Sequence, residues 1–181
     1  IHDFLVPEGL PWVKISDATS CSSRYLSGTK QYIKQVGLNK TVLLDRGTLI
    51  LSNSATPGLP IFLDLQACIH DGWLYFPIKK HFNDLYLYQL FLLIRDQLLR
   101  QGSGSVFTNL KTDILRKHIL IVPPQELVEY FTHLMHPSVS KIHKISLEMG
   151  VITTIRDTLL PKLLSGELRV PDAEKLIEKA L

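Results

Sequence analysis

The period of the hydrophobic pattern changes at Pro123-Pro124, and this change limits the possible folds more than any other feature. Before the diproline, short runs of β-type residues alternate with turn residues. Trp12 to Ile15, Val42 to Leu44, Thr48 to Ser52, Ile61 to Leu65, Trp73 to Ile78 and His118 to Val122 all read as strands. Asp45-Arg46-Gly47, Thr56-Pro57-Gly58 and His70-Asp71-Gly72 supply turn chemistry between them. One helix interrupts the run, capped by Asp84, with Leu85, Leu87, Leu90, Phe91, Ile94 and Leu98 on its apolar face and Gly102 at its end. A Gly102-Ser103-Gly104-Ser105 loop follows, then a short helical piece near Asn109 to Leu115.

After the diproline the spacing becomes helical. Leu127, Phe131, Leu134, Ile142, Ile145, Met149, Ile152, Ile155 and Leu159 recur mostly by threes and fours, the stripe of a long amphipathic helix. Pro137 is expected to kink or split it, because proline removes a hydrogen bond and clashes with the preceding turn. Pro161 is expected to end or bend it, and Pro171 to open a short terminal helix. A helix of roughly 35 residues is about 50 Å long, so part of the stripe is expected to project and to pair with another helix. The fold class is therefore α+β, with a β-rich domain over 1–123 and a long coiled-coil-like helical region over 124–181.

Composition removes several classes. Hydrophobic residues at 45% exclude intrinsic disorder. The longest apolar run, Leu85 to Ile94, falls short of the roughly 20 residues that cross a bilayer. The opening Ile1-His2-Asp3 has no basic start before an apolar stretch, so no signal peptide is expected. Cys21 and Cys68 have no CxxC spacing, and a reduced cytoplasmic setting is the expectation. Charge is uneven: 13 basic against 9 acidic residues up to Pro123, then 7 against 8. A polyanionic partner thus belongs with the first part.

Catalytic motifs are missing. The chain has no GxxxxGK[ST], HExxH or GxSxG, and Gly102-Ser103-Gly104 follows a helix instead of linking a strand to one. His133, His136 and His143 suggest a metal face only superficially, since zinc needs a further ligand and Pro137 disrupts the spacing; solvated helix histidines fit better. Asn39-Lys40-Thr41 matches a glycosylation pattern, read here as chance. No catalytic residue, cofactor or metal is expected.

Several segments, taken in order, resemble the specificity subunit of type I restriction–modification enzymes. Val6-Pro7-Glu8-Gly9-Leu10-Pro11-Trp12 resembles the family's "PEGW" opening, with Leu10-Pro11 inserted. Asp45 to Ser52 resembles its "GD-hydrophobic-S" strand, and Gly102-Ser103 through Asn109-Leu110 its Gly-Ser loop and following turn. Ile121-Val122-Pro123-Pro124 resembles the exit into its conserved helix. Leu159-Leu160-Pro161-Lys162-Leu163-Leu164-Ser165-Gly166-Glu167-Leu168-Arg169-Val170 resembles that helix's "LLPKLISGEIRV" ending and is the most specific of these segments. A full subunit of the family has two recognition domains and two conserved helical regions. This chain holds one of each, which fits either a natural half-length protein or a fragment.

The resemblance implies that residues 1–123 form a target-recognition domain that reads DNA. Residues 124–181 would be the spacer that docks modification subunits and, through them, restriction subunits on a bipartite target. Methyl transfer and cleavage would belong to those partners. Candidate DNA contacts, chosen by residue type in predicted loops, are Lys30, Lys34, Arg46, Asn53, Lys79, Lys80, Ser103 and Ser105. Arg24 and Lys40 are of the same kind, and Lys79-Lys80-His81 reads equally well as a solvated turn. Ile142, Ile145, Met149, Ile152, Ile155 and Leu159 form the candidate helix interface, used by a second copy if the chain is a half-subunit. Two other classes remain open: a coiled-coil structural or regulatory protein, and a fragment of a DNA-modifying enzyme.

Overall fold

The computed structural model describes residues 4–100, 109–171 and 178. Two compact units divide the chain, Ile1–Leu134 and Met135–Leu181.

The first unit contains two stacked sheets. Strands β1 (Leu5–Val6), β2 (Leu10–Val13), β4 (Gln31–Ile33), β5 (Val42–Leu44) and β8 (Ala67–Ile69) form one, in the order β1-β4-β2-β8-β5. Strands β3 (Tyr25–Leu26), β6 (Leu49–Ser52), β7 (Pro60–Leu63) and β9 (Trp73–Tyr75) form the other, in the order β3-β7-β6-β9. Most pairs are antiparallel, but β2 with β8 and β3 with β7 are parallel.

Side chains on a strand alternate between faces, so burial of every residue means that both faces are covered. Strand β6 shows this: Ile50 points into the core between the sheets, while Leu49 and Leu51 point to helix α2 (Asp84–Arg100). Phe62 on β7 also meets α2, and Ile61 and Leu63 face the other sheet. On the five-stranded sheet, Val13, Ala67 and Ile69 face inward. Trp12, Ile33 and Cys68 pack on its outer face with Leu38 of a 3-10 helix, Gln35–Lys40. The order of layers is thus 3-10 helix, sheet, sheet, α2.

The strands at Val42–Leu44, Leu49–Ser52, Pro60–Leu63 and Trp73–Tyr75 lie where the sequence pattern puts them, the second and fourth with trimmed ends and the third beginning one residue earlier and ending two earlier than the run from Ile61 to Leu65. Other expectations are corrected. Ile15 does not extend β2; it opens helix α1 (Ile15–Ser20), where Ile15 and Ala18 join the inter-sheet core. His118–Val122 is not a strand. Among the described residues it forms no β-ladder; the His118 N–H instead donates to Leu115 O at 3.3 Å, and Leu120 packs toward α2. Ile119 and Ile121 are 91% and 96% exposed. The short helical piece is α3 (Thr112–Lys117), and Asn109 instead forms an isolated bridge with Ser54. Asn83, not Asp84, caps α2: its Oδ1 accepts the Tyr86 N–H at 2.9 Å.

Helix α4 runs unbroken from Gln125 to Leu164 with Pro137 and Pro161 inside it. Each proline removes one N–H from the ladder, and the remaining bonds carry the helix through. Gly166, at φ +75°, provides the left-handed residue that stops it, with Leu168 N–H returning to Lys162 O at 3.1 Å. The expected end of α2 at Gly102 lies outside the described residues, as does most of the terminal helix expected from Pro171.

Candidate nucleic-acid interface

A groove of about 560 Å³ opens on the first unit, between the loop after β6, the His70–Gly72 turn and the stretch from Asn109 to Asp113. Its walls are tied together by local bonds. Asn53 N–H donates to Gly72 O at 2.9 Å, and its side-chain amide donates to Asp71 O at 2.7 Å. The Asn53 carbonyl accepts the Leu110 N–H. Leu110 is buried in the α2 core, so its backbone is held while Asn109 beside it stays exposed. His70 Nδ1 accepts the Gly72 N–H at 2.9 Å. A Cβ at Gly72 would collide with the His70 ring, which explains a glycine in this turn. Ser52, which closes the "GD-hydrophobic-S" stretch, is fully buried. Its hydroxyl accepts the Leu59 N–H at 2.9 Å and donates to Thr56 O, clamping the loop.

The candidate DNA contacts are dispersed. Lys30 and Lys34 are exposed at opposite ends of β4, and neither has an ion pair among the described residues. Arg46 is bound to Asp64, with Nη2 and Oδ1 2.7 Å apart. Lys79 is bound to Asp84 at 2.6 Å, while its exposed neighbour Lys80 has no such partner. Asn53 builds the groove. Arg24 lies over the Tyr88 ring at 5.4 Å, and Lys40 over Phe4 at 4.9 Å. Burial pushes the Tyr88 hydroxyl up, and the Arg24 charge partly offsets this. Tyr25 and Trp73 sit on strands, Trp73 fully in the core. Ser103 and Ser105 lie outside the described residues. His81, next to Lys80, contacts Pro123 O at 2.6 Å, and Asn83 donates to Thr132 Oγ1 at 2.7 Å; this segment therefore braces the start of α4.

Along α4, the stripe read from the sequence is largely uncovered. Ile142, Ile145, Met149 and Ile152 are 42–57% exposed, and Ile155 and Leu159 are half-buried. Leu127 and Leu134 of the same stripe are also exposed, whereas Val128 and Val139 are buried. Val128 lies about 100° around the helix from Leu127, and Val139 is eleven residues, or three turns, further along. Val128 in the first unit and Val139 in the second are each covered, while an adjacent apolar face of α4 stays open. Two valines eleven residues apart leave no readable stripe, so only the open face was visible from sequence.

Among the described residues no group of three or more His, Cys, Asp or Glu could hold a metal. Cys68 is buried, which pushes its thiol up. It packs as a small apolar side chain. No helix among the described residues is long and apolar enough to cross a membrane.

Residues 3–133 match the family model described as type I restriction modification DNA specificity domain. Over 94 residues, 52% of this chain, the sequence is 32% identical to the type I restriction enzyme MjaIX specificity subunit of Methanocaldococcus jannaschii. That stretch covers 21% of the relative. The fold resembles a chain from a structural study of complex assembly and conformational transition of the type I R-M system, at TM-score 0.55 and 16% identity. It also resembles the HsdS subunit from Thermoanaerobacter tengcongensis, at TM-score 0.53 and 14% identity. Both similarities cover 93% of this chain but only 42% and 41% of those chains, so this chain spans less than half of the solved proteins it resembles.

Proposed function

The chain belongs to the type I restriction modification DNA specificity domain family, and from that premise we propose that it reads DNA sequence as a specificity subunit or one half of one. The family match carries this reading, because it covers residues 3–133 and so nearly all of the first compact unit. In this reading residues 1–123 are the target-recognition domain and 124–181 the helical spacer. The spacer docks modification subunits and, through them, restriction subunits. A cytoplasmic location goes with that role.

Reading and chemistry are then divided between chains. The purified chain is expected neither to methylate nor to cleave DNA, and methylation by the chain alone in a single-turnover assay would refute the reading. The direct test is to mix the chain with its modification subunit and profile which DNA becomes methylated. A bipartite sequence profile is expected; methylation without sequence preference would overturn the proposal.

DNA binding by the first unit should depend on salt, because phosphate contacts release counterions. Of the densest basic cluster, Lys79 already has Asp84 as counter-charge, which leaves Lys80 as the unpaired cation. Replacing both with alanine is expected to shallow the salt slope by about one unit. An unchanged slope in a binding titration would remove the pair from the interface.

A single copy supplies one recognition unit. A second copy, paired antiparallel through Ile142, Ile145, Met149, Ile152, Ile155 and Leu159, would supply another. Two identical readers related by a two-fold axis favour an interrupted palindrome, with half-site separation set by helix length.

A further inference from the structure

The groove beside Asn109 divides its residues into two sets. Asn53, His70, Gly72 and Leu110 use their polar groups or apolar side chains to build it. Asn109, Lys111 and Thr112 do not. Their side chains are exposed on the rim, without a hydrogen bond or ion pair among the described residues. Facing them, Asp71 is exposed, with one contact of 3.5 Å to His70, and Asp113 approaches Arg116 only at 3.9 Å. The rim therefore offers unspent donors and acceptors on a backbone fixed by the Leu110 anchor and the Ser54–Asn109 bridge.

A surface that held only phosphates would be lined by cations. Mixed donors and acceptors instead match base edges, which present both, and the carboxamide of asparagine is a good partner for such an edge. Phosphate-binding charge lies close by. In the parallel pairing of β2 with β8, Val13 stands opposite Ile69, which puts Lys14 beside His70 in the groove wall. Lys30 directly precedes Gln31, which pairs with Trp12, and so stands opposite Val13, one strand beyond Lys14 and two from His70. Neighbouring strands are about 4.8 Å apart. Lys14 and Lys30 have no ion pair among the described residues, and the nearby Asp17 carboxylate is occupied by the Lys14 backbone N–H at 2.9 Å.

We propose that the Asn109–Thr112 rim reads base edges of double-stranded DNA, with Asn109 as a specificity-determining residue and Lys14 and Lys30 as flanking phosphate contacts. This rests on the DNA-reading function proposed above.

The test uses the chain assembled with its modification subunit on a randomised duplex library, scored by methylation profile and by the salt dependence of binding. Asn109→Ala is expected to relax preference at one position by about 5- to 150-fold and to leave the salt slope unchanged. Thr112→Ala is the second rim variant, and unchanged melting temperatures confirm folding of both. Lys14→Ala/Lys30→Ala is expected to keep the profile while shallowing the slope by about two units. Rim variants with an unchanged profile, or with uniform weakening, overturn the rim's role while the DNA-reading function stands. An unchanged slope in the lysine double variant overturns the phosphate contacts. A wild-type assembly that methylates without sequence preference refutes the DNA-reading function itself.

Discussion

Replacing Trp73 with alanine is expected to cost about 3–5 kcal/mol of stability, the usual range for truncating a buried aromatic side chain. Trp73 is on β9, at the edge of the four-stranded sheet, and only 4% exposed. Its ring fills the space between the sheets, packed in the same core as Val13, Ile50, Ile61 and Ile69. Its Nε1–H also donates to Val13 O at 3.1 Å, reaching from one sheet to the other. Truncation would therefore open a cavity and leave a buried carbonyl without its partner, which alone costs about 1–3 kcal/mol. Domains of ordinary stability have about 5–15 kcal/mol in total, so the variant should unfold at much lower urea. Trp73→Phe separates the two effects, since it keeps most of the volume and loses the bond. A loss below about 1 kcal/mol for Trp73→Ala would show that the sheets are not joined through this side chain.

Trp73 also shows what the sequence reveals and what it hides. Its run, Trp73 to Ile78 after the His70-Asp71-Gly72 turn, is long enough to read as a strand, though the strand itself stops at Tyr75 before Pro77. Helices α2 and α4 are equally legible because their apolar spacing persists over several turns. Strands β1, β3, β4 and β8 are two or three residues long and lie outside the runs of β-type residues that mark the equally short β5 and β9; their neighbours define them. The reverse error occurs at His118–Val122, where β-branched residues look like a strand but form no β-ladder among the described residues. The candidate contacts are limited in a similar way. A basic residue in a turn is visible from sequence, but its counter-charge is not: Asp64 is 18 positions from Arg46 in the chain. Asn109 and Leu110 enter the sequence reading only within a short helical piece and the Gly-Ser loop resemblance, because the exposure of the first and the anchoring of the second arise from the folded core. The family resemblance was legible for a different reason: its most specific segment, Leu159 to Val170, is a continuous run that needs no tertiary information.

Charged substitutions at Ile145 and Ile152, as in Ile145→Glu/Ile152→Glu, are expected to convert a dimer to monomers without unfolding the β-rich unit. The argument starts from exposure. Ile142, Ile145, Met149 and Ile152 lie on one face of α4 and leave 42–57% of their surface in water. Fully burying an aliphatic side chain contributes about 1.5–3 kcal/mol, so a partner that covered these half-exposed groups would gain a substantial part of that at each position. In a two-fold interface each copy contributes the same residues, so every substitution acts twice. Two glutamates per chain would place four carboxylates in a closed apolar seam, where an unpaired charge is expensive. The β-rich unit should be unaffected, because its core is built from the two sheets and α2 and includes neither isoleucine. Sedimentation velocity at micromolar concentration should give twice the chain mass for the unmodified protein and the single-chain mass for the double variant. Urea unfolding of the β-rich unit should match between the two once both are monomeric. A monomer for the unmodified chain would mean that a second copy does not cover the open face of α4, and the two-fold arrangement with its palindromic target would be wrong.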